Sequence, residues 1–412
     1  MASLVFAAIA GIPLLRVMPV MQEGMGNLLG QITLVIALGS VLGTMLEKTG
    51  AMTTLSHGLL KAVGKKRSIL AMSITGAIVG VPVFCDSGFI ILSRLAPQLV
   101  ADTSASEGAL VLALSSGLYT THTLVPPTPG PLAAATTFGL GHHMGLVMLT
   151  GFVCAMPVVA ASYWYAVRRG PLISIPEHIH TNASQEPYSW WSAFLPLVLP
   201  IILISATSFS RLIDEENPAR TILEVVGHPS IALLIGVLLS FRLLKPAHQQ
   251  LWPAWISDAL KDAGIILLIT GAGGAFGSLI KESGISSLIG DLAKDGLRST
   301  LFISLAWLIA ALLKTSQGSS TSAMVITSAL TFPLTSAAGL TTPSELAILV
   351  VTIGGGSMAV SHSNDSYFWV VSQFGHIQPR DGFRYFTPMT LLQGATAIIS
   401  SIFALYVVRI FA

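Results

Sequence analysis

Charge is what this chain has least of. Only 10% of its 412 residues are Asp, Glu, Lys or Arg, whereas soluble domains carry about 25%, so an ordinary water-facing surface is excluded. The net charge of +2 is too small to recruit a nucleic acid. Cysteine is nearly missing as well. Cys85 and Cys154 are the only two, both in apolar context, which argues against a disulfide framework or a metal site. Gly271-Ala272-Gly273-Gly274 lacks the Lys-Ser/Thr of a phosphate loop and lies inside an apolar run. It suits tight helix contact, not nucleotide binding, and nothing else implies a cofactor.

What is there is apolar: 52% of the residues are hydrophobic. Nearly uncharged runs recur at Leu28–Leu46, Ser68–Cys85, Leu146–Tyr165, Ser192–Ser210, Ala263–Ile280, Ser322–Ser344 and Thr387–Val408. A spanning helix needs about 20 apolar residues, so with the shorter pieces about ten to twelve membrane segments are expected, some of them re-entrant. The runs are continuous and do not alternate, which excludes a β-barrel. The first run, Ala2–Leu15, is short for a span and ends at Arg16.

Two segments look like copies of each other. Ser115-Ser116-Gly117-Leu118-Tyr119-Thr120-Thr121-His122-Thr123 leads into Pro126-Pro127-Thr128-Pro129-Gly130-Pro131. Gly354-Gly355-Gly356-Ser357 leads into Ser361-His362-Ser363-Asn364-Asp365-Ser366. Each places a hydroxyl–His–hydroxyl triplet after a glycine-containing apolar stretch. The prolines break any helix they fall in. Irregular polar backbone survives in a membrane only where protein or a wet cavity covers it, and paired interruptions in two halves point to a transporter's substrate site.

A second match supports the first. Gly43–Leu55 aligns with Gly277–Leu288, and nearly the same register sets Asp86-Ser87-Gly88 against Ser320-Thr321-Ser322. The chain therefore reads as a first half over 1–170, a connecting region with two membrane helices over 171–262, and a second half over 263–412. Loop charge suggests that the halves are inverted. Lys61, Lys65, Lys66 and Arg67 come with no acid and read as cytoplasmic, whereas Lys294 and Arg298 are offset by Asp291 and Asp295.

Asp86 is the sharpest single residue, a carboxylate in an apolar segment where charge is costly and marks ion or substrate paths. Asp365 suits both a helix N-cap and a site residue. His122 and His362 belong to the only side-chain type whose ordinary titration falls near neutral pH. Lys314 heads the hydroxyl-rich Thr315–Ser322. It suits either anion attraction or, slightly better, snorkelling to the interface. His142, His143, His178 and His180 read as ordinary loop residues.

The stretches Gly80–Phe89, Thr121–Pro131, Gly271–Phe276, Gly318–Ser322 and Ser361–Asp365 resemble the gluconate permease family of the ion transporter superfamily, from about Gly26 to the C-terminus. The resemblance implies an all-α integral membrane protein, an inverted repeat with two re-entrant hairpins and two broken transmembrane helices. It implies a first region longer by about one helix, roughly 20 residues. It implies a homodimer in the bacterial inner membrane with an elevator motion. By position, Asp86-Ser87-Gly88 and Ser319-Ser320-Thr321 become the hairpin tips. Thr121-His122-Thr123, Thr128, Gly130 and Ser361-His362-Ser363-Asn364-Asp365 become the helix breaks. These residues are the candidate substrate contacts, with Asp86, His122, His362 and Asp365 as proton carriers.

The implied substrate is a small hydroxy-acid anion moving with protons. Cys85-Asp86-Ser87 departs from the family pattern, which widens the acid from gluconate to glycerate, tetronate or similar acids. A sodium-coupled dicarboxylate or citrate carrier is the alternative within transport, since Asn364, Asp365 and freed carbonyls suit Na⁺. An intramembrane Ser/His/Asp enzyme is the alternative of another class. The duplication argues against it, because one nucleophile and one base suffice. A passive channel is a third.

Overall fold

The apolar runs fold as helices, and prolines and glycines mark where those helices stop. A computed structural model describes residues 2–51, 54, 58, 67–93, 95–102, 105–175, 188–206, 217–248, 250–283 and 299–411. The basic loop residues Lys61, Lys65 and Lys66, the compared loop Lys294–Arg298, and His178 and His180 lie outside them. So does the end of the second copy of the Gly43–Leu55 match, from Gly284 to Leu288.

The first part of the chain runs α1 (Ala2–Ile9), α2 (Leu14–Thr49), α3 (Ser68–Val79), α4 (Cys85–Leu92), α5 (Leu95–Asp102), α6 (Glu107–Leu124), α7 (Pro129–Thr137) and α8 (Met144–Arg169). The middle holds α9 (Trp190–Ala206), α10 (Pro218–Val226) and α11 (Pro229–Ser240). The rest is α12 (Trp252–Glu282), α13 (Ser299–Gln317), α14 (Ser320–Thr331), α15 (Pro343–Met358), α16 (Ser366–Phe374) and α17 (Thr387–Phe411). A long helix, two helices around a short turn, a helix interrupted by extended residues and a further long helix come in that order in both parts, with α5 an extra element in the first.

Among the described residues, four stretches are long and apolar enough to cross a membrane: Glu107–Thr137, Gly141–Leu172, Ser299–Gln317 and Pro379–Ile410. The bent pair Pro218–Val226 and Pro229–Leu243 makes a fifth if it counts as one span. Other apolar helices among the described residues are shorter, including α3 and α15. The run Ser322–Ser344 is not the single span expected from its composition. Its helix ends at Thr331, and Phe332-Pro333-Leu334 forms a 3-10 turn, because proline cannot continue the hydrogen-bonded ladder.

Alpha6 and α15 are buried over most of their length, and they touch each other, α8 and the helices before them. Glycines permit the close approaches. A Cβ on Gly76 would lie 2.5 Å from the Leu114 carbonyl oxygen, and one on Gly117 would overlap the Ser73 carbonyl, so α3 and α6 meet backbone to backbone. Gly271 meets Met25 and Leu29 of α2, the helix contact its sequence suggested. Outward faces of α8, α13 and α17 expose Val153, Met156, Leu305, Leu312, Ile399 and Phe403, as lipid contact requires.

Candidate functional site

Two short helices follow tight turns, and two follow broken spans. The turn after α3 spans Gly80–Phe84, so Asp86, Ser87 and Gly88 occupy the first turn of α4, just past the tip itself. Gly88 packs on Leu118 of α6. The turn between α13 and α14 is Gly318-Ser319. Ser319 caps α14 by accepting from the Ser322 N–H at 3.2 Å, and Ser320 and Thr321 form its first turn. Alpha6 ends with Thr121, His122 and Thr123 in its last turn. Val125–Thr128 is the break, and α7 opens with Pro129 at its first position, where no N–H is needed.

Alpha15 ends at Met358, and Ala359–Asp365 is the second break. Val360 sits there at φ +56°, a left-handed conformation that a β-branched side chain rarely adopts. The first turn of α17 clamps this break. Ser361 N–H donates to Thr390 Oγ1 at 2.9 Å, and Thr387 Oγ1 donates to the Ser361 carbonyl at 2.6 Å. Asp365 caps α16, its Oδ1 accepting from the Tyr367 N–H at 3.2 Å.

The four short-helix N-termini lie in two contacting pairs, each drawing one member from either half. Ser366 of α16 donates to Asp86 Oδ2 of α4 at 3.2 Å. Gly130 of α7 faces Thr321 and Met324 of α14. Tyr119 and Lys314 link the two pairs. The Tyr119 hydroxyl is 2.8 Å from Ser320 Oγ, and its ring lies tilted against Tyr367 with centroids 4.9 Å apart. Lys314 Nζ is 2.6 Å from Asp365 Oδ2 and donates to the Gly318 carbonyl at 3.0 Å. Asn364 Nδ2 donates to the Thr315 carbonyl at 2.5 Å. Gly318, at φ +77°, has no room for a side chain against the Asn364 carbonyl.

Snorkelling is therefore the wrong account of Lys314. Its side chain is 1% exposed and Asp365 is 3% exposed. Its stem turns inward because the turn at Gly318 offers a carbonyl and the second break offers a carboxylate. Asp365 also accepts from Ser361 Oγ.

Other candidates split. His122 is buried beside Phe84, ring centroids 5.8 Å apart, with no partner for Nδ1. Asp86 Oδ1 is likewise buried without a partner. The hydroxyls of Thr121, Thr123 and Thr128 donate to backbone carbonyls of their own helix end, the last to Val125 at 2.7 Å. His362 is half-buried, and Ser363 and Asn364 are exposed. Residues not singled out as candidates also enter. Tyr119 lay inside the duplicated segment, Ser366 closed it, and Gln393 reaches Ser116 and Thr120 from α17. A lone amide in the run Thr387–Val408 was the signal for Gln393.

An open groove of about 690 Å³ lies elsewhere, between α8, α15 and α17. Its lining is apolar apart from Thr150, Ser344 and Ser400, which does not suit a hydroxylated anion.

Apolar spans enclosing paired helix breaks and buried charges define an integral membrane carrier, not a soluble enzyme. The chain belongs to the GntP family of permeases, whose sequence model matches residues 1–408. It is 31% identical to the inner membrane permease YgbN of Escherichia coli K12, over 97% of this chain and 91% of that one. It is 29% identical to a gluconate permease of Pseudomonas aeruginosa, over 95% and 88%. Its fold is similar to that of the Alcanivorax borkumensis YdaH transporter, with a TM-score of 0.68 at 13% identity, covering 95% of this chain and 89% of that one. The MtrF efflux pump of Neisseria gonorrhoeae follows at 0.64 and 14%, covering 93% and 83%. The family is one of transporters, and the intramembrane-enzyme alternative falls with that finding.

Proposed function

We propose that this protein is a secondary transporter that takes up gluconate or a related small hydroxy acid together with protons. The observation that carries the reading is the cross-paired set of short-helix N-termini around Asp86, Lys314 and Asp365. Helix N-termini present unpaired N–H groups and a positive dipole end, which suit a carboxylate. Ser320, Ser363, Ser366 and Asn364 supply polar partners for the substrate's hydroxyls. That two of the relatives are gluconate permeases supports a substrate of the sugar-acid class.

Reciprocal pairing, α4 with α16 and α7 with α14, is what a two-fold relation between the halves would produce. It supports an inverted repeat with the substrate near the membrane midplane. The family resemblance adds an elevator motion and a homodimer in the bacterial inner membrane. Labelling of single cysteines placed at residues 64 and 296 from either side of the membrane tests the inversion; both reacting from the same side would refute it.

Asp86 is the proposed proton carrier, because it is an acid in an apolar segment with one oxygen left unpartnered. Proteoliposome uptake with an imposed pH gradient and no sodium is expected to accumulate gluconate or a related acid. Asp86→Asn is expected to keep binding and exchange while losing accumulation. Uptake that needs sodium and ignores the pH gradient would overturn proton coupling. An Asp86→Asn protein that still concentrates substrate would move the proton to another group, with His122 and His362 next.

A further inference from the structure

Lys314 is an expensive residue to bury. A lysine inside a membrane segment is costly, and a buried ion pair seldom stabilises a fold more than an apolar pair of the same shape. Its surroundings show what the expense serves. Two of its three ammonium donors have conventional acceptors, Asp365 Oδ2 and the Gly318 carbonyl, while the face of the Tyr119 ring lies 5.6 Å away. The ammonium stands beside the Ser319-capped N-terminus of α14, whose first N–H groups have no partner within the helix. The same Tyr119 reaches the Ser320 hydroxyl at that N-terminus.

The charges do not balance. The titratable groups facing the pair are Asp86 and Cys85 from α4, Tyr119 and His122 from α6, and Tyr367 from α16. With Asp86 and Asp365 ionised, one lysine faces two carboxylates. A substrate carboxylate arriving there would be a third anion in a poorly screened space, where like charges repel strongly. A proton arriving with it restores the earlier balance.

We propose that Lys314 is the counter-charge for the substrate carboxylate, held by Asp365 until a proton on Asp365 releases it. This rests on the reading of the chain as a proton-coupled hydroxy-acid carrier, with Asp86 carrying the transported proton and Asp365 taking a second one that gates binding. The step balances simply. A proton from the aqueous phase forms an O–H bond on the Asp365 carboxylate, and the ammonium keeps all three of its protons. Its hydrogen bond passes from Asp365 to the incoming carboxylate. Asp365 still caps α16, because Oδ1 stays on the Tyr367 N–H. Substrate and proton thus compete for one lysine in opposite senses: the proton removes the internal rival, and the anion takes its place. The turn at Gly318 and the break at Ser361–Asp365, joined through this pair and through Asn364 and Thr315, would then be joined through the substrate as well.

The test is gluconate binding to the purified full-length protein in nanodiscs at acidic and alkaline pH. Wild type is expected to bind more tightly at acidic pH. Asp365→Asn keeps a good capping side chain, and is expected to bind at least as tightly with most of the pH dependence gone. Lys314→Met alone leaves a buried carboxylate unpaired, so the informative variant is Lys314→Met with Asp365→Asn, in which neither charge remains. That double variant is expected to stay monodisperse and to bind at least about 30-fold more weakly at both pH values. Binding by the double variant equal to wild type would overturn the proposal and leave the transport reading intact. A folded Asp365→Asn protein with no binding would overturn it too, by making Asp365 a direct ligand. Wild type that binds none of gluconate, glycerate and tetronate would remove the transport reading and this inference together.

Discussion

Replacing Gly318 with alanine tests whether the hairpin turn and the second break are in direct contact. Gly318 sits at φ +77°, where a residue with a Cβ is strained by about 1–2 kcal/mol. Its Cβ would also collide with the Asn364 carbonyl and lie 3.2 Å from Asp365 Cα. Both are backbone atoms that cannot swing aside, and forced overpacking of this kind adds about 1–3 kcal/mol. Gly339 provides the control. Its φ is +70°, but the nearest atom to an added Cβ is Ser299 Oγ at 3.5 Å, an ordinary contact. Gly339→Ala therefore carries only the backbone cost. Thermal unfolding of the two variants in detergent should rank Gly318→Ala clearly below Gly339→Ala. Proteoliposome uptake should be lost in the first and kept in the second. Equal melting temperatures and equal uptake would refute the argument, since they would mean that the turn and the break do not touch.

Other substitutions follow the same geometry. Gly117→Leu should fail to give a folded protein, because α3 and α6 meet at the backbone there; recovery of a monodisperse protein would contradict that contact. Thr342→Ala removes the capping box that Thr342 and Glu345 form at the start of α15, and should lower stability by about 1 kcal/mol, read as a lower melting temperature. Val360→Gly should be neutral or stabilising despite the lost side chain, since it relieves the strain at φ +56°; a marked fall in melting temperature would show the strain to be absent.

Much of the fold was legible because membrane helices announce themselves by long uncharged runs, and α8 and α17 each follow such a run. The breaks were legible through proline and through the polar repeat, since neither Pro126–Pro131 nor Ser361–Asp365 can continue a helix in lipid. The ends of elements were less so. Ser322–Ser344 has the composition of a span, and only Pro333 hints that it stops. Partnership was least legible. The run around Lys314 suits an interface or an interior equally, and what decides is a carboxylate fifty-one positions later in the chain. Tyr119 and Gln393 matter for what they reach across the molecule, and local pattern carries no trace of that.

The reciprocal pairing has a consequence for how the protein is made. Alpha4 and α7 leave the ribosome long before α16 and α14 exist. Asp86 and Tyr119 must enter the bilayer without Ser366 or Ser320, and domains are otherwise expected to form as they are synthesised, N-terminal part first. The first eight helices are thus complete before the groups they pair with have been made. Only when the final fifty residues arrive can the break at Ser361–Asp365 be clamped by Thr387 and Thr390. The proposed site closes only once both sets of helices exist, and a nascent chain cut before Ser361 would hold α4 and α7 without the second break they pair around.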